Sequence, residues 1–337
     1  MTAQNKGTIH YIQWVRAVGA VAIVLLHAFV TMRIAYSAEV LGAGRLALEE
    51  AISIVFTRWA VPVFFMISGA LMLDPQREMG WKKLLGHVWR LAFVLLTFGF
   101  GFCIAECVVN AGEFSAPMLL DAFNHLLDQD SWDHMWYVYE LLGFYLMTPL
   151  IRPWVAQASR EEYGKVAFWA CVLLLGTRAV SGFLPYAMYY GVSIPHCFAY
   201  YLIGYYVITY LELDTRWIVA GLVSLVSMLV LSVGFGCDWV TEPIRAFVTP
   251  YSIAVLLAFK RYLDVSLDKY PVVSLIADYS FGIYLIHPAF QHAMVMLRDM
   301  SAYPAVVADI ALTVIPLVLS IAAIWLLRLI PGFKGKI

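Results

Sequence analysis

The sequence predicts an all-α fold, a polytopic transmembrane helical bundle of about ten spans with both termini cytoplasmic. Three observations carry that expectation. The 337 residues are 62% hydrophobic and only 13% charged, with positive mean hydropathy, which excludes an ordinary soluble domain. Apolar windows of about 17–25 residues recur along the chain, each long enough to cross a bilayer. Lys and Arg concentrate in alternate loops, as the positive-inside rule requires.

The windows fall at 12–33, 51–73, 86–109, 134–151, 164–182, 196–211, 217–236, 244–259, 272–297 and 305–330. The first lacks a small-residue cleavage site and carries Arg16, so it reads as a retained span rather than a signal peptide. With both termini inside, one face collects Lys6, Lys82, Lys83, Lys260, Arg261 and Lys334, among others. The opposite face keeps Arg33, Arg45, Arg178, Arg245 and Arg298, and its longest loop, 110–133, is acidic with Asp128, Asp130 and Asp133. Five cysteines, one of them Cys237, mostly lie inside spans and predict no disulfide framework. Near-neutral net charge gives no argument for nucleic acid, no metal is expected, and residues 1–337 read as one membrane domain of unknown oligomeric state.

Polar residues inside the spans locate the chemistry, because an ionisable side chain in hydrocarbon costs about 2.5–3.5 kcal/mol and faces a protein interior or a wet cavity. In the first span Arg16 and His27 share a helix face about 16 Å apart, the cation near the inner surface and the imidazole in the outer half. Arg58 falls at a similar level in the second span, and Pro62 removes the hydrogen bond to its carbonyl, bending the helix. Ser68 and Gly69 read as small residues for close helix approach rather than as a nucleophile. The third span starts with a basic cluster, Lys82, Lys83, His87 and Arg90, expected beside Arg16. Trp136 and Glu140 share a face of the fourth, where the carboxylate is placed to orient His27. The ninth span carries Ser280, Tyr284, His287 and Gln291 as one polar stripe, with Pro288 releasing the Tyr284 carbonyl. Two layers result: cations inside, and a His/Arg/Glu/Tyr layer toward the outside. An anionic, phosphate-bearing cytosolic cofactor suits the first layer, and a tether of about 16 Å, the reach of the pantetheine arm of coenzyme A, takes its reactive end to His27.

At these residues the chain resembles the bacterial acyltransferase-3 family of integral membrane enzymes, most closely its enterobacterial common antigen O-acetyltransferase branch. The matching segments are Trp14-Val-Arg16-Ala through His27, Val61-Pro-Val-Phe-Phe-Met-Ile-Ser-Gly-Ala-Leu, His134-Met-Trp136-Tyr with Pro149-Leu-Ile, and Tyr279-Ser-Phe-Gly-Ile-Tyr284-Leu-Ile-His287. The resemblance implies a multi-pass protein of the bacterial inner membrane that takes acetyl-CoA from the cytosol and acylates a hydroxyl of a glycan or lipid-linked sugar. It aligns His27 with the family's essential histidine, Arg16 with its first-helix arginine and Arg58 with its second-helix basic position. The family's Arg-x-x-Arg appears here as His87-Val-Trp-Arg90, and Gln13 stands where relatives often carry an acid. The expected catalytic set is therefore His27, Arg58, Tyr284 and His287, with Arg16, Lys82, Lys83, His87 and Arg90 for the cofactor and Trp136 and Glu140 for the acceptor. His27 as general base and His27 as covalent acyl carrier stay equally open. A proton-coupled exporter or flippase of a lipid-linked sugar, with His27, Glu140 and His287 as a relay, is the competing class.

Overall fold

The computed structural model describes residues 9–129, 132, 134–180, 186–236 and 243–337. Lys6, Asp130, Asp133 and Cys237 lie outside those residues, as do the side chains of Arg178 and Arg245. The described residues are helical, with no strand among them. In chain order the helices are α1 (His10–Ala35), α2 (Ala43–Phe56), α3 (Ala60–Leu73), α4 (Trp81–Ala111), α5 (Met118–Leu127) and α6 (Trp136–Gln157). There follow α7 (Arg160–Val180), α8 (Tyr186–Tyr210), α9 (Thr215–Gly234), α10 (Val248–Tyr262), α11 (Pro271–Leu297) and α12 (Ala305–Leu327). Within the described residues the predicted windows fall on helices, the second of them on two. Among the described residues, six stretches are long and apolar enough to cross a membrane: α1, Ala43–Leu73, α4, α9, α11 and α12.

Residue placement within these helices is inverted relative to a soluble protein. On α12, Asp309, Thr313 and Ser320 are buried while Val307, Ile310, Val314 and Val318 are exposed. On α9, Gly221 and Ser224 turn inward while Leu222, Val223 and Val226 face out. An exposed apolar face on this scale is stable only against lipid, and a polar group is tolerated only where other helices supply its partners.

The chain divides into two compact units, one of residues 1–70 and 164–324, the other of residues 71–163 and 325–337. In the first, α1 runs along α11. Its start is fixed where Tyr11 N donates to Asp264 Oδ1 (3.3 Å) and Trp14 Nε1 to the Val265 carbonyl (3.0 Å). Lys260 Nζ donates to the carbonyls of Ile208 and Leu211 at the end of α8 (2.9 and 2.8 Å), a cation placed on orphan acceptors at the negative helix end. Asp214 caps α9 by accepting from Trp217 N, and the Arg216 guanidinium followed by that N–H holds its carboxyl below the ordinary carboxylate range.

Three features depart from the simple span map. The second window is two helices, because the chain turns at 57–59 just ahead of Pro62, with both Thr57 N and Arg58 N bonding back to the Ser53 carbonyl. Helix α2 also begins at Ala43 rather than near 51; Arg45, Glu49 and Glu50 stay inside it because they are paired. In the second unit, the expected acidic loop contains α5, whose Ala122 and Leu126 are buried and whose Leu126 carbonyl accepts from Tyr139 Oη at 2.8 Å. Met118, Leu119, Ala122, Phe123 and Leu126 follow helical spacing there, a stretch too short to register as a span.

The reading of Ser68-Gly69 as a close-approach site is supported by the packing of α3 on α8. A Cβ added at Gly69 would lie 1.8 Å from the Tyr201 carbonyl oxygen, and one added at Gly204 would lie 2.1 Å from that of Met66. Each helix thus gives up a side chain so that the other's backbone can reach it.

Candidate functional site

The seam of α1 and α11 joins polar residues of the two helices at successive levels. Near the starts of the two helices Arg16, half-buried, donates from Nε to Ser280 Oγ (3.2 Å) and from Nη1 to Gln13 Oε1 (3.3 Å). Ser280 Oγ in turn donates to the Ala277 carbonyl at 2.8 Å. Farther along, Gln291 Nε2 crosses to the Val24 carbonyl (2.8 Å) and also reaches the Leu312 carbonyl on α12 (3.0 Å). The stripe predicted on the ninth span therefore faces the helix that carries Arg16 and His27.

Close to the Gln291–Val24 contact the two histidines meet. His27 Nδ1 lies 2.7 Å from His287 Nε2, and His287 Nδ1 lies 2.8 Å from the Ile283 carbonyl one turn back on its own helix. The ring centroids are 4.9 Å apart with 23° between planes. That separation matches a linear N–H···N contact plus two ring radii, so the rings meet edge to edge and nearly coplanar rather than face to face. His287 is wholly buried at 0% exposure, whereas His27 is half-buried and presents part of its ring. Tyr284, one turn before His287, is half-buried with its ring 6.3 Å from that of Phe281.

Arg58 belongs to a different arrangement in the same unit. Its Nη2 pairs with Glu50 Oε1 at 3.1 Å, and Glu50 Oε2 takes Arg33 Nη2 at 3.0 Å, so one carboxylate bridges two guanidiniums. Beside it Arg45 bridges two carboxylates, Glu49 at 2.6 Å and Asp309 at 3.1 Å. Glu49 and Glu50 lie just ahead of the predicted window at 51, where their charge gives no sign of a buried partner. Asp309, a lone acid within an apolar window, was the signal available in the sequence.

In the second unit, Lys82 and Lys83 are exposed at the start of α4, with Lys83 Nζ donating to the Glu78 carbonyl at 3.2 Å. His87, one turn on, sets its ring edge toward Tyr145 at 6.2 Å, and Arg90 Nε donates to the Lys336 carbonyl at 2.7 Å. Lys83, His87 and Arg90 thus share a face of α4. On α6, Trp136 is 41% exposed and Glu140, one turn later, is half-buried. The structure brings His27 and His287 together, and Arg16 with the same seam, while Arg58 joins the charged cluster.

No curated protein and no solved structure matches the chain. The acyltransferase-3 family model, described as an acyltransferase domain, matches residues 9–329, and so takes in both histidines, Arg16, Arg58, the α4 cations and the α6 pair. With that match over nearly its whole length, the chain belongs to the acyltransferase-3 family.

Proposed function

We propose that the protein is an O-acetyltransferase of the bacterial inner membrane, moving an acetyl group from cytosolic acetyl-CoA to a hydroxyl of a cell-surface glycan or its lipid-linked precursor, with the enterobacterial common antigen type of acceptor first in line. One observation carries this reading: in a family of acyltransferases, the apolar first helix holds a half-buried imidazole within hydrogen-bond distance of a second, wholly buried imidazole. Neutral imidazole changes charge near working pH, which suits a group that takes a proton and returns it.

In the general-base route His27 removes the proton of the acceptor hydroxyl while that oxygen attacks the thioester carbonyl carbon. The C–S bond breaks, and the leaving thiolate takes the proton back from the imidazolium. The products are the acetyl ester and free CoA. In the acyl-carrier route a ring nitrogen attacks the thioester carbonyl carbon and expels the CoA thiolate; the acceptor hydroxyl then attacks the acyl carbon, the N–C bond breaks to free the imidazole, and the hydroxyl proton passes to the thiolate. Arg58 and Tyr284 are the N–H and O–H donors assigned to the oxyanion that forms at the carbonyl. Charge assigns the donor's phosphates to Arg16 and to Lys82, Lys83, His87 and Arg90. Trp136 and Glu140 are assigned to the sugar, one as an apolar platform and one as a hydrogen-bond acceptor.

Purified full-length protein in proteoliposomes, supplied with radiolabelled acetyl-CoA and a hydroxyl acceptor, tests the reaction. Label is expected to leave CoA with the wild-type protein and to remain there with His27→Ala. Undiminished transfer by that variant would remove His27 from the chemistry, and no release with any glycan or lipid-linked acceptor would remove the reaction itself.

A further inference from the structure

We infer that His287 is a positioning residue that fixes the proton on Nδ1 of His27 and so makes Nε2 of His27 the reacting nitrogen. The kinetic consequence rests on the acyltransferase reading; the proton assignment does not.

The assignment follows from two contacts. A carbonyl oxygen only accepts, so the 2.8 Å contact of His287 Nδ1 with the Ile283 carbonyl requires a hydrogen on that nitrogen. A neutral imidazole has one N–H, which leaves Nε2 of His287 as a lone pair. That lone pair faces His27 Nδ1 at 2.7 Å, so the hydrogen between the rings belongs to His27. Neutral His27 then carries its own lone pair on Nε2. With both rings neutral, no other placement of the two hydrogens satisfies both contacts.

The surroundings hold this arrangement still. His287 is at 0% exposure, and its Ile283 partner lies on the same helix, so the ring cannot rotate without giving up a buried bond. One turn on, Gln291 ties α11 to the Val24 carbonyl of α1 and to the Leu312 carbonyl of α12, which sets the register in which the two rings meet. When His27 Nε2 takes a hydroxyl proton, the Nδ1–H keeps donating to His287, so the cation forms without rearrangement. The proton then leaves by Nε2, the nitrogen it arrived on. Base and acyl-carrier routes use the same lone pair.

The support comes from a neutral ring rather than a carboxylate, so its removal is expected to cost less than the roughly 10⁴-fold seen when a serine-protease triad is forced into the wrong tautomer. His287→Leu is expected to lower kcat about 10–100-fold, the size of loss seen when a hydrogen-bonded partner that orients a metal-binding histidine is removed, with KM for acetyl-CoA nearly unchanged. His287→Gln places a side-chain carbonyl near the position of Nε2, where it accepts the same bond, and is expected to recover most of that loss. Histidine nitrogen NMR on ¹⁵N-labelled full-length protein in nanodiscs, with His27→Ala for assignment, reads the tautomer without any turnover. The expected spectrum shows His27 protonated at Nδ1 and bare at Nε2. A His27 protonated at Nε2 and bare at Nδ1, a cationic His287, or a Gln variant no better than Leu would each overturn the inference. A protein with the expected spectrum that transfers no acetyl group overturns the proposed reaction and leaves the tautomer standing.

Discussion

The α1–α11 seam and the charged cluster around Arg45 both bury polar side chains in the same unit, and they solve opposite problems. In the cluster, Arg33, Arg45 and Arg58 are matched by Glu49, Glu50 and Asp309, so charge is compensated within the protein and the partners lock one another in place. In the seam, Arg16 meets the neutral Ser280 and Gln13, Gln291 binds backbone carbonyls, and the two histidines share a hydrogen bond between rings, one of them half-buried. Paired charges hold position; a chain of imidazoles and a carbonyl holds a proton at a chosen atom. Around Arg45 the cluster is therefore a stability element and the seam a chemical one, with Arg58 the cluster member that the proposed reaction also uses, and substitutions at Arg45 and in the seam should move different observables.

The largest expected effect is on chemistry. His27→Ala should cut turnover by about 10²–10⁴-fold, the usual worth of a general base, while leaving the melting temperature close to wild type. A large loss of stability with proportionate loss of activity would erase the distinction between the two regions. Next, Arg45→Ala strands two buried carboxylates and should destabilise the protein by about 3–5 kcal/mol, read by denaturant unfolding in detergent. Adding Glu49→Gln and Asp309→Asn should restore much of that; an Arg45→Ala protein as stable as wild type would mean the cluster is not built on charge. The contact of α3 with α8 is the control without polar side chains. Gly69→Ala must push a methyl group into the Tyr201 carbonyl and should cost about 1–3 kcal/mol or more.

A smaller effect is expected at Gln291→Leu, which removes two cross-helix bonds at about 0.6–1.7 kcal/mol each by membrane-protein precedent and should loosen the seam without abolishing transfer. The smallest is Asp214→Ala at the α9 cap. The Asp214 carboxyl is held below its ordinary value of 3.8, so its contribution is present above that pH and is lost as pH falls through the lowered value. The gap in melting temperature between wild type and Asp214→Ala should accordingly close in acid; a gap independent of pH would assign the cap to shape rather than charge.

Much of this was legible in the sequence. Within the described residues the apolar windows fall on helices, the second of them on two, because hydrophobic length and helical hydrogen bonding in a bilayer are local constraints that leave few alternatives. The polar stripe of Ser280, Tyr284, His287 and Gln291 was visible as a 3.6-residue period, and Pro62 announced the break that falls at 57–59. Helix α5 and the early start of α2 were hidden for the same reason: polar and charged residues read as loop until their partners are known. Glu50 has no special sequence context, yet it holds both Arg33 and Arg58.

By itself the sequence determined that the chain is built of apolar helices, and it singled out Arg16, His27, Arg58 and His287 as groups too expensive to bury without purpose. Only the tertiary structure decided their company: Arg58 with a carboxylate, Arg16 with a serine, and His27 with His287, a residue 260 positions away. Periodicity fixes which face of a helix a residue occupies, and that is set within a few turns. Whether two ring nitrogens stand 2.7 Å apart depends on the axial register and rotation of two helices to a fraction of an ångström, which the packing of the whole unit sets.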